Sequence, residues 1–268
     1  MFANSPSRSS IFMRGSLLAL SAFVTSVSMT PVAFAQDGAV EKEAFEPKSG
    51  FYGTVLGGIS LPSDSEYSGT QQPEVGVPGV AGAPANVNTE FSSGAFVSGA
   101  VGYRIPKHIF GLFQPSVELE VNYTDLNVNG GNFNGGNQTF SGDQNALTVT
   151  ANYQSDIRWS NNQKVIPFWG GGIGFTRVDN NIGYFPNNGA FTSPNFAVRG
   201  SDTGFNLQSN AGLTFVLNDN VELVTRARYQ RTTGLDFDRR FIANNGLNAE
   251  VGGRFENVTL AAGLRYRF

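Results

Sequence analysis

Between residues 51 and 268 the chain repeats one pattern eight times: apolar and polar side chains alternate with a period of two. That period puts successive side chains on opposite faces of a strand, so each segment reads as a β-strand with one apolar and one polar face. The third is the cleanest, with Val117, Leu119, Val121 and Tyr123 against Glu118, Glu120, Asn122 and Thr124. The others fall at 51–61, 91–104, 147–154, 169–176, 205–215, 221–230 and 257–268; Phe96 interrupts the second. Helical periodicity is almost absent, which excludes the α and α/β classes.

The connections alternate in length. Residues 62–90, 127–145, 177–203 and 231–250 read as long loops rich in Gly, Asn, Asp, Ser and Pro; 104–116, 155–164 and Asn218-Asp219-Asn220 are shorter. Structureless loops beyond ~15 residues are uncommon in compact soluble domains. Long loops at one end and short turns at the other are what a transmembrane barrel requires.

Eight strands with an apolar face also fit a soluble barrel turned the other way, apolar inward. Residue usage decides between them. Lysine is confined to Lys42, Lys48, Lys107 and Lys164, all outside the strand patterns. A soluble barrel spreads Lys over its outer face to discourage edge pairing. Charged residues make up 15% of the chain while Phe occurs 23 times, against a usual charged share of ~25%. Aromatic residues also stand near both ends of the apolar stripe. Phe51, Tyr103, Tyr153, Trp169, Phe215, Tyr266 and Phe268 lie toward the short turns, and Phe91, Tyr123, Phe175, Phe205 and Tyr229 toward the long loops. Two such girdles suit the two lipid–water boundaries. The fold expected is therefore an all-β, eight-stranded antiparallel transmembrane β-barrel with long extracellular loops and shorter periplasmic turns.

In a barrel of this size the interior is filled by side chains. The polar face carries Glu118, Glu120 and Glu222 with Arg226, Arg228, Arg265 and Arg267. Buried charges persist when paired and hydrogen-bonded, so these seven are expected to form a lumen ion network. Strands seven and eight are neighbours, so their four arginines need the glutamates of strand three across the lumen. Gly170, Gly172 and Gly174 leave room for the long side chains.

Residues 1–35 read as an export signal. Arg8 and Arg14 precede a short apolar run from Ser16 to Val27, and Ala33-Phe34-Ala35 gives a small-x-small cleavage pattern. The run is too short for a spanning helix. Residues 36–49 are charged and read as a flexible periplasmic lead-in, which leaves 50–268 as the barrel domain.

Zero Cys excludes disulfides, thiolate metal sites and a cysteine nucleophile. A pI near 5.2 argues against nucleic acid as a partner. The single histidine, His108, lies in a short turn, away from any outer-loop serine, so it makes no base for lipid hydrolysis. The Gly-rich run at 170–174 opens no helix and has no Lys-Ser/Thr after it. No catalytic residue, metal site or cofactor is expected.

GAVGYR (99–104), ELEVNY (118–123), PFWGGGIGF (167–175), NDNVEL (218–223), ARYQ (227–230) and LRYRF (264–268) together resemble the opacity-protein-like and outer-membrane protein A-like eight-stranded barrels. The resemblance covers residues 50–268. It implies insertion by the outer-membrane assembly machinery, with Leu264, Tyr266 and Phe268 as the assembly signal. It also implies the outer membrane of a Gram-negative bacterium, with outer-membrane lipids as surroundings. The expected role is structural or adhesin-like, binding a host or surface ligand through the loops. The alternative is a narrow porin or carrier for small solutes.

Overall fold

The computed structural model describes residues 49–72, 79–133, 139–160, 162–185, 193–242 and 248–268. The export signal and nearly all of the lead-in lie outside the described residues. Among the described residues there are ten strands: β1 (Gly50–Pro62), β2 (Ser65–Gln71), β3 (Val87–Phe91), β4 (Gly94–Arg104), β5 (Phe113–Phe133), β6 (Thr139–Ile157), β7 (Val165–Phe185), β8 (Phe196–Val216), β9 (Val221–Phe241) and β10 (Ala249–Arg267).

They build eight walls. The first wall breaks at 63–64 and resumes as β2; the second runs as β3, breaks at 92–93 and resumes as β4. β10 pairs with β1 through Asn257–Arg267 and with β2 through Ala249–Gly252. β5 pairs with β4 through Ser116–Asp125 and with β3 through Val128–Phe133. With the antiparallel pairs β5 to β10 in sequence order, the ring of eight closes at both heights. Closure is what lets β-structure cross a bilayer, because hydrocarbon offers nothing to an open strand edge.

The walls are longer than the alternation suggested. β5, β7, β8 and β9 each run 21 residues, about twice the 9–11 a tilted strand needs to span the bilayer. Much of what reads as loop at 127–145, 177–203 and 231–250 is strand, and 62–90 contains β2 and β3. The extracellular connections are correspondingly shorter than the sequence implied.

The surplus strand length carries inverted polarity. In the lower half the outer face is apolar: Leu119, Ile173, Phe175, Leu207 and Leu264 are all more than half exposed. Above Tyr123, Phe175, Phe205 and Tyr229 the outer face turns polar, with Asn145, Arg177, Thr203, Arg231, Asp236 and Asp238. There the interior is apolar: Tyr67, Val87, Leu126, Val178, Ile182, Leu235, Phe237, Val251 and Phe255 form one buried core. The lower half is thus a membrane barrel and the upper half a water-facing barrel on the same walls.

Local breaks set the face each residue takes. On β9 even-numbered residues point inward up to Thr232, and odd-numbered ones from Leu235. The switch falls at Gly234, whose φ of +75° favours glycine, and beside the register shift between Gly253 and Phe255. One extra residue moves the following side chains to the opposite face, which turns Leu235 and Phe237 inward.

Candidate functional site

The lumen gathers the charged residues of the polar face. Each stands on an inward position of the lower half, and the four lumen carboxylates come from β5 (Glu118, Glu120), β6 (Asp156) and β9 (Glu222). Arg226 reaches across to β5, with Nη1 3.1 Å from Glu120 Oε2 and Nη2 3.1 Å from Glu118 Oε2. Arg228 donates to Glu120 Oε1. Arg265 donates from Nη2 to Glu118 Oε1 at 2.9 Å. Arg267 Nε lies 3.4 Å from Glu222 Oε1. The seven residues singled out from the alternation therefore stand in two linked clusters, around the β5 glutamates and around Glu222.

Three further residues join the seven as partners. Arg104 is fully buried, forks onto both oxygens of Glu222 at 3.2 Å and meets Asp156 Oδ2 at 3.0 Å. Asp156 falls where the sequence reads as a turn, and β6 continues through it. Tyr52 donates to Glu118 Oε1 at 3.0 Å and lies under the Arg265 guanidinium, 4.4 Å from its ring centroid. Inward aromatics break the alternation for the same reason. Phe96 lies 5.2 Å from Arg228 and Phe168 lies 5.7 Å from Arg226, so each ring supports a guanidinium by cation–π contact. Gly102 makes space for Tyr52: a Cβ there would sit 2.4 Å from the ring.

Above the ions lies a neutral layer. Thr148, Thr176, Gln230, Thr232 and Asn206 hydrogen-bond one another, with Thr148 Oγ1 2.9 Å from Thr176 Oγ1. Asn152 links the layers, donating to Glu120 at 3.0 Å and accepting from Gln208 at 2.6 Å. Higher still is the apolar core, which encloses a hydrogen-bonded set of Tyr67, Gln144 and Asn180. Burial pushes the Tyr67 and Tyr184 hydroxyls well above the usual phenol range, so neither carries charge at neutral pH. Burial also pushes Arg239, which stacks on Phe196, down to about 10.

The girdle residues divide by exposure. Phe51, Tyr123, Tyr153, Trp169, Phe175 and Phe205 are exposed on the outer wall, whereas Tyr103, Phe215 and Tyr229 are half-buried. Phe91 packs against the upper core and is not part of an outer ring. Leu264, Tyr266 and Phe268 also face outward, and Phe268 donates its amide to the Phe51 carbonyl at 3.1 Å. His108 lies in the turn between β4 and β5; burial and then the Arg158 charge hold its pKa below the usual imidazole value.

The family model described as outer membrane protein beta-barrel domain matches residues 19–268. The chain belongs to this family. Its members' location follows: this is a β-barrel of the Gram-negative outer membrane, surrounded by membrane lipid. Among solved structures, the outer membrane protein OprG from Pseudomonas aeruginosa is 14% identical, with 83% of this chain and 98% of that one covered and a TM-score of 0.51. The outer membrane protease OmpT from Escherichia coli is 11% identical, with 85% and 99% covered and a TM-score of 0.50. At these identities the likeness concerns the fold. No curated protein matches.

Proposed function

We propose that this barrel is a closed structural and surface-interaction protein, engaging a partner through its extracellular end, and is neither a pore nor an enzyme. The observation that carries the reading is the continuous filling of the lumen. Among the described residues, ion clusters, an amide and hydroxyl layer and an apolar core follow one another upward from the periplasmic turns. A hydrated ion would have to break salt bridges and then pass a packed, largely apolar core, where shedding its water is costly. The lumen carboxylates are each held by arginine, which leaves no acid–base pair free to act on a substrate. The outer wall above the membrane presents Arg177, Asp179, Arg231, Asp236, Asp238 and Arg240 on a rigid sheet, a surface suited to polar partners.

The test is single-channel recording. Purified full-length barrel in planar bilayers should give no stable current steps. Reproducible, ion-selective steps would sink the proposal in favour of a narrow pore.

A further inference from the structure

At the periplasmic mouth Arg104, Arg158 and Arg267 crowd around Asp156 and Glu222, and Arg265 reaches Glu222 from above at 3.8 Å. Arg104 takes both in close geometry: Asp156 at 3.0 Å and the two Glu222 oxygens at 3.2 Å. Arg158, in the turn after β6, is left 3.5 Å from the same Asp156 oxygen. Its side chain is 5% exposed, yet among the described residues Nε and Nη2 have no hydrogen-bond partner. Arg267 is half committed: Nη2 donates to the Asp219 carbonyl, while Nε lies near Glu222 and is not hydrogen-bonded.

Arg158 and Arg267 line one depression of about 320 Å³, together with Lys164, Asn218, Asp219 and Glu222 among others. Around the mouth Arg104, Arg158, Arg267 and Lys164 face only Asp156, Asp219 and Glu222, so the floor keeps a surplus of positive charge. Burial, followed by the charge of Arg104, pushes Arg158 down to about 10. A buried guanidinium with open donors is costly unless something supplies acceptors. Its fork of N–H groups matches the oxygens of a tetrahedral oxyanion.

We propose that this mouth binds an oxyanion of the phosphate class, held by Arg158 and Arg267 with Lys164 at the entrance. The group has two sources with the same chemistry: the headgroup of a phosphomonoester lipid in the periplasmic leaflet, or soluble phosphate.

The experiment titrates full-length barrel in phosphate-free non-ionic detergent by calorimetry, in two arms. One uses inorganic phosphate and the other a short-chain phosphatidic acid. Saturable binding of either, weakened about tenfold or more in Arg158→Gln and in Lys164→Gln and unchanged in the outer-wall variant Arg240→Gln, is the expected result. Lys164 is exposed, so that variant folds whatever the fate of Arg158→Gln. Binding in the lipid arm alone identifies a headgroup; binding of inorganic phosphate identifies a soluble source. No saturable binding in either arm, or equal binding by wild type and both site variants, overturns the proposal.

Discussion

Replacing Glu120 with alanine is expected to lower the unfolding free energy by about 3–5 kcal/mol, the scale for breaking a buried ion pair from one side. Glu120 is fully buried and accepts from Arg226, Arg228 and Asn152. Its removal leaves Arg228, whose other nitrogens already lack hydrogen-bond partners, as a charge with no carboxylate bonded to it. The penalty comes from that stranded charge more than from the lost attraction. The double variant Glu120→Ala/Arg228→Met should therefore recover a substantial part of the loss, although it removes more contacts. Urea unfolding in lipid vesicles measures both. An unchanged midpoint for Glu120→Ala, or strictly additive losses in the pair, would contradict the network.

The second large effect is expected at Phe237, in a stretch that reads as loop. Phe237 is 3% exposed and meets Tyr67 edge-on, with ring centroids 5.7 Å apart. Truncation to alanine opens a cavity in the upper core and should cost about 3–5 kcal/mol, as for large core aromatics. On a solvated loop the same change would cost within ~0.5 kcal/mol. Hydrogen exchange gives the location as well as the size. Amides of β2, β9 and β10 above Gly234 should lose protection first, while the lipid-facing half of β5 keeps it. Uniform loss, or none, would contradict an independently packed upper barrel.

These two positions mark how far the sequence could be followed. The lower barrel is legible because one strict period and one polarity rule hold across it. Inward Glu118, Glu120, Arg226 and Arg228 then follow by counting in twos. Arg104 and Asp156 share that parity, but each sits where a strand blends into a short turn, and pairing across the lumen is invisible along the chain. Phe96 and Phe168 look like errors in the alternation because their role is to support guanidinium groups, a contact made only in three dimensions. The upper barrel is hidden for a different reason. Its polarity is reversed, and Gly234 and the breaks at 63–64 and 92–93 shift the register just where the reversal begins. Period-two stretches there are diluted by Gly and Asn, and on β9 and the first two walls they run out of phase with those below. Polar outward residues then resemble a loop composition. The sequence signal for strand was present, as in Val178, Asn180 and Ile182 along β7, but it ran opposite to the rule that identified the rest.

The closed lumen is the claim on which the proposed function depends, and a chain with no cysteine permits a direct measurement. Thr148 is fully buried between the ion clusters and the apolar core, held by Thr176 and Gln230 at 2.9 Å. Thr203 is exposed on the outer wall above the membrane. Single variants Thr148→Cys and Thr203→Cys, folded in lipid, are treated with a small water-soluble thiol reagent. Thr203→Cys should react to completion while Thr148→Cys stays unmodified until the barrel is unfolded. Modification of Thr148→Cys at a rate comparable to Thr203→Cys in the folded protein would show an open, hydrated lumen and contradict the closed barrel.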